Sequence, residues 1–156
     1  MTESKKAWGL LTEACGVYAG QGMNHENQSY DSELVLKSAV ENKLLLLISE
    51  ARGLHGEMFH MEATTIGYDM TGKLTMFVSS NNHQAVTPHF FDRIEVGPLG
   101  EKKLIFRFGD VTDRNSFREE ININLYPSGE LEQTYSWGMT GGEFQARSGA
   151  KMQKAK

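Results

Sequence analysis

Cysteine is almost missing: Cys15 stands alone, so no intramolecular disulfide is available to hold the chain. Proline is scarce at 3 residues, and chain breaks must come instead from 16 glycines, a balance that suits a β-protein with many tight turns. Basic excess is missing too. Lys and Arg number 16 against 20 Asp and Glu, a formal charge of −4, which leaves no electrostatic footprint for nucleic acid. Long apolar runs are absent: the longest, Leu44 to Ile48, is strand-sized, far from the ~18 residues of a membrane span. The opening Met1-Thr2-Glu3-Ser4-Lys5-Lys6 is too polar for a secretory leader, so a cytoplasmic setting is expected and Asn27-Gln28-Ser29 is read as a chance sequon. Catalytic signatures are lacking as well. His25, His55, His60, His83 and His89 never pair at helical i, i+4 spacing, no G-x-S-x-G elbow occurs, and Gly16, Gly20 and Gly22 precede no helix. No metal site is expected.

What is present is period-two alternation. A chain of 156 residues makes one domain, 1–156, that buries roughly 70% of its unfolded surface. Ala7, Leu10, Leu11 and Ala14 repeat at helical spacing behind Ser4, so a short helix is expected over about 4–14 with Ser4 as N-cap and Gly16 as its stop. Beyond it, alternating stretches predict about ten strands: 17–25, 32–40, 43–52, 57–68, 73–80, 86–96, 102–109, 116–126, 129–138 and 142–152. The third is apolar on both faces and reads as covered from two sides. Nearly every connection is hairpin-length, which favours an all-β, antiparallel up-and-down barrel over about 16–152, one mouth capped by the helix. A barrel of this strand number leaves room for one small ligand.

Several side chains could serve such a cavity. His60 and Glu62 lie two apart on one strand face, as a metal or acid–base couple or as a structural polar pair near the rim. Phe106, Phe108, Phe117, Ile121, Ile123, Leu125, Leu131, Tyr135 and Trp137 alternate along consecutive strands, as core and pocket wall together. Gln133 shares a face with Leu131 and Tyr135, which sets one amide among apolar neighbours in need of a partner. Met58, Met61, Met70, Met76 and Met139 read as gap-fillers. Cys15, near the helix C-terminus, reads as an unreactive thiol.

Three segments, in order, carry a family resemblance: Gly16-Val17-Tyr18-Ala19-Gly20-Gln21-Gly22; His60-Met61-Glu62 followed by Gly67-Tyr68 and Lys73 to Asn81; and Gly129-Glu130-Leu131-Glu132-Gln133-Thr134. Together they resemble the nitrobindin-like β-barrels of the calycin group, which includes lipocalins and fatty-acid-binding proteins. Tyr18 stands where that family usually has tryptophan, and it is expected to pack at the barrel floor between Gly16 and Gly20. Haem-binding members carry a histidine on the last strand; here that region, Phe144 to Gly149, has none, and Arg147 falls near the ligand position. The resemblance turns Arg147, with Gln145 and Gly149, inward, to pair with Glu62, Gln133 or a ligand carboxylate.

The expected function is binding of a small apolar or amphipathic molecule without catalysis or cofactor, by Arg147, Gln133, Tyr135, Trp137, His60 and Glu62, with Gly16, Tyr18, Gly20 and Gly22 structural. Two alternatives stay open: a haem-dependent nitrobindin-type protein isomerising peroxynitrite or handling nitric oxide, and a solidly packed barrel acting as an interaction module. A homodimer is compatible with any of them.

Overall fold

The computed structural model describes residues 1–156. Helix α1 spans Glu3–Glu13. Its N-cap is Thr2 rather than Ser4: Thr2 is extended and its hydroxyl accepts from the Lys5 amide at 3.4 Å. Ala7 and Leu11, one turn apart, are fully buried and join the barrel core. Ten strands follow: β1 Gly16–Asn24, β2 Ser29–Ala39, β3 Leu44–Gly53, β4 Met58–Tyr68, β5 Leu74–Ser80, β6 Thr87–Val96, β7 Lys102–Phe108, β8 Arg118–Leu125, β9 Leu131–Gly138 and β10 Gln145–Lys154. Each pairs antiparallel with its sequence neighbour, and β1 pairs with β10 from Tyr18↔Lys154 to Asn24↔Ser148, closing the barrel. No helix is long and apolar enough to cross a membrane.

Most strand limits fall within two residues of the alternation. The largest departure among the early strands is β2, which begins three residues sooner because its turn is tighter than the sequence suggested. The Asn24 side-chain oxygen accepts from the Glu26 and Gln28 amides and folds the chain straight back. The third strand is not covered on both faces. Leu45 and Leu47 point into the core, while Ile48 on the outer face is 41% exposed and Leu44 and Leu46 are half-buried. An up-and-down barrel has no second layer to cover that side. Of the methionines expected as gap-fillers, only Met76 is fully buried; Met61 faces outward, and Met70 and Met139 lie exposed in connections.

The glycine motif on β1 has a steric cause. A Cβ on Gly22 would lie 2.4 Å from Cζ of Tyr30, and one on Gly20 would lie 2.3 Å from the Lys151 carbonyl oxygen. The Tyr30 ring thus fills space beside a strand that carries no side chain there. Tyr18, 2% exposed, sits at the helix-capped end and donates its hydroxyl to the Ala14 carbonyl at 2.6 Å, tying the helix C-terminus to the floor.

The barrel interior is divided by height. Toward the helix end the inward side chains are apolar: Leu36 and Leu34 on β2, Leu45 and Leu47 on β3, Ile123 and Ile121 on β8, Leu131 on β9. Farther along the same strands, the next inward positions turn polar: Ser32, Ser49, Glu119 and Gln133. The lower half is a packed core. The upper half is not.

Candidate functional site

A cavity of about 500 Å³ opens at the end opposite the helix. All six candidate binding residues, His60, Glu62, Gln133, Tyr135, Trp137 and Arg147, line it. A hydrogen bond is thrown across the barrel between two of its lining residues. Strands β4 and β9 are five places apart in a ring of ten, so they stand on opposite walls. From β9, the Tyr135 hydroxyl donates to Oε2 of Glu62 on β4 at 2.6 Å. Thr64 donates to the other oxygen, Oε1, at 2.6 Å, and Nε2 of His60 lies 3.1 Å from Oε2.

Glu62 is 1% exposed. Burial pushes its carboxyl upward, but the hydrogen bond and electrostatic attraction of His60, then the hydrogen bonds from Thr64 and Tyr135, outweigh that and hold it below the ordinary carboxylate value. Tyr135 moves the opposite way: burial, then the facing Glu62 charge and hydrogen bond, raise its phenol well above the usual value. The pair is therefore a carboxylate and a neutral phenol. His60 is held at both ring nitrogens, since the Asn82 side-chain amide donates to Nδ1 at 2.9 Å. With both ring nitrogens partnered, the imidazole is fixed in orientation against Glu62. The His60–Glu62 couple is thus a hydrogen-bonded polar pair on one face of β4. No cluster of three metal-ligating side chains forms anywhere in the chain.

Arg147 does not reach Glu62 or Gln133. A β-bulge between Ala146 and Ser148 breaks the alternation on β10: Gln145 pairs with Trp137, but beyond the bulge Ser148 and Ala150 take the inward positions expected for Arg147 and Gly149. As the bulged residue, Arg147 arrives at the cavity mouth half-buried. Its guanidinium stacks 3.9 Å over the Trp137 ring, and Nε donates to the Trp137 carbonyl at 3.2 Å. The desolvation that would compel an ion pair is absent there. His25, following the β1 residue that pairs with Ser148, stands edge-on to the same indole at 6.0 Å.

Alternation did not single out three residues that shape the site, Ser49, Glu119 and Asn82. Ser49, paired across the β3–β4 ladder with Glu62, is 4% exposed and its hydroxyl meets no protein partner. The Gln133 amide nitrogen, also in a residue 4% exposed, meets none either. Glu119 lines the cavity and accepts from Nε2 of the fully buried His89 at 2.7 Å. Asn82 comes from the β5–β6 connection, beyond the reach of strand periodicity. Inward parity on β3 and β8, counted from Leu47 and Ile121, was the available signal for Ser49 and Glu119.

The last-strand histidine that the family resemblance implies for haem is absent, although His25 and His83 also line the cavity. The last strand offers the cavity Arg147, Ser148 and Ala150, none of which has an imidazole lone pair for iron. His60 has both nitrogens engaged, and both ring nitrogens of His89 face acceptors, Glu119 and the Thr87 carbonyl.

No protein-family model and no curated protein matches the sequence. Among solved structures, the crystal structure of Rv2717c from M. tuberculosis superposes with a TM-score of 0.73 over 100% of this chain and 99% of that chain, at 14% identity. At that identity the likeness establishes the fold: a ten-strand closed antiparallel barrel with a short N-terminal helix, an architecture typical of ligand-binding proteins.

Proposed function

We propose that this nitrobindin-like barrel holds one small amphipathic molecule in its open half and performs no chemistry on it. The observation that carries the reading is the cavity itself: about 500 Å³, inside the range of small-molecule sites, crossed by the Tyr135–Glu62 bridge and lined by Trp137, Phe59 and Phe117. His60 is in this reading a fixed polar group of the wall, since its two ring nitrogens lie against Glu62 and Asn82. Arg147 offers a polar anchor at the mouth, where an acidic group on the ligand can reach it from solvent.

Ligand-observed NMR against a panel of aromatic and aliphatic metabolites tests the reading, with Ala51→Phe as the control that fills the cavity from the β3 wall. Binding to wild type that disappears in Ala51→Phe is the expected result; a panel that never binds, or binds both equally, refutes it. Acidic ligands should weaken by roughly tenfold or more in Arg147→Met, the value of a charge-assisted hydrogen bond. Hemin titration addresses the haem reading: a stoichiometric Soret band that disappears in His25→Ala would replace this proposal with it.

A further inference from the structure

The deep end of the cavity has a chemical signature that the mouth lacks. Glu62, 1% exposed, stands there as a carboxylate held by hydrogen bonds from neighbouring side chains. Three donors, His60, Tyr135 and Thr64, use three of the roughly four lone-pair positions of a carboxylate. Beside it on the ladder is the Ser49 hydroxyl, without a protein partner. Two residues deeper than Tyr135 on the same face of β9 is the Gln133 amide nitrogen, a donor without an acceptor. Both of these residues are more than nine-tenths buried and line the cavity. A buried polar atom left unpaired costs about 1–3 kcal/mol, so this end favours an occupant that satisfies it.

Complementarity then defines the occupant. It must bring an acceptor for Gln133 and a donor for the Ser49–Glu62 side, and it must bring no negative charge. A carboxylate placed there would face Glu62 in a low-dielectric interior. Above that end, the wall is aromatic and suits a flat ring. We propose that the deep end of the cavity selects a neutral planar heteroaromatic ligand presenting a lactam-type N–H and C=O edge to Gln133, Ser49 and Glu62, and that it excludes carboxylates from that end. This rests on the small-molecule-binding reading above and names the class of molecule within it. An acidic group elsewhere on the same ligand would point outward to Arg147.

Three matched bicyclic probes test the inference on the full chain: carbostyril, which has the lactam edge; N-methylcarbostyril, which keeps the carbonyl but lacks the N–H; and naphthoate, which carries a carboxylate. Isothermal titration should rank carbostyril tightest, with N-methylcarbostyril and naphthoate each at least about tenfold weaker. In Gln133→Leu and in Ser49→Ala that discrimination should shrink to within about threefold, while thermal melts stay at or above wild type because an unpaired polar atom has been removed. Equal affinity for all three probes, or naphthoate binding tightest, overturns the inference and leaves the binding reading standing. Discrimination that persists unchanged in both variants overturns it as well, since the edge would be read elsewhere. If no probe binds, the inference fails. The binding reading falls with it only if the wider panel also shows no difference between wild type and Ala51→Phe.

Discussion

Tyr135→Phe deletes one oxygen from the barrel interior and leaves the aromatic ring in place. The lost contact is the 2.6 Å hydrogen bond to Glu62, which is 1% exposed and so receives no relief from solvent. Glu62 would keep Thr64 and His60, so the carboxylate is weakened rather than orphaned. Removing one charge-assisted hydrogen bond of this kind costs about 1.5–3 kcal/mol. For a domain of this size that corresponds to a fall in Tm of roughly 3–12 °C. The pH dependence is the sharper part. Glu62 is held below its ordinary value of 4.5, so its contribution to stability is complete above that value and is lost as pH falls through the lower folded-state value. Phenylalanine removes one of the groups that depress it, so the folded-state value moves up and the contribution shrinks. The gap between wild type and variant should therefore be widest at neutral pH and narrow below about pH 4.5. Urea denaturation from neutral pH down to about pH 3 measures it. A gap that stays constant across that range, or no gap at neutral pH, would refute the cross-barrel bridge as a charged hydrogen bond.

At the closed end, Tyr18→Phe should cost about 0.5–1.5 kcal/mol through the lost bond to Ala14, and Tyr18→Ala about 3–5 kcal/mol, as judged by chemical denaturation. Gly22→Ala should destabilise by about 1–3 kcal/mol, since its Cβ would collide with both the Tyr30 ring and the Gly149 carbonyl; a neutral effect in thermal melts would mean that Tyr30 swings aside freely. Burial raises the Cys15 thiol above its ordinary value, so alkylation by iodoacetamide should lag a free thiol and accelerate only at higher pH than the free thiol does.

The alternating pattern contained most of the barrel, because a period of two fixes strand direction and face together. Leu131, Gln133, Tyr135 and Trp137 line the interior in the order the pattern implies. Hairpin-length connections made the meander legible as well. The pattern failed where a single residue breaks it. The bulge at Arg147 shifts every later position on β10 by one, and nothing in Gln145-Ala146-Arg147-Ser148-Gly149 marks it. Arg118 was hidden for another reason. It is 1% exposed, and its guanidinium donates to the carbonyls of Ser116, Met139 and Gly142 while filling the space left by Gly138. That clamp belongs to a loop folded over the outer wall, and a polar residue at an outward position ordinarily signals solvent. For Cys15 the sequence pointed to the helix terminus as what raises the thiol, whereas the structure supplies burial as the cause.

The β1–β10 ladder has a consequence for how the chain reaches this state. Nine of the ten strand pairings join sequence neighbours and can form as local hairpins. The tenth must bring Tyr18 to Lys154, 136 residues along the chain, and closing a loop of that length costs about 3 kcal/mol more than closing a hairpin turn. Pairings already made reduce that cost, because a curled nine-pair meander holds its two ends close, so closure belongs at the end of folding. Until it happens, β1 and β10 each present an open row of amides and carbonyls. In a concentrated solution the β10 edge of one molecule can be met by the β1 edge of another, giving strand-exchanged oligomers as the natural misfolded product. Refolding yield should therefore fall with protein concentration even where the final barrel is stable.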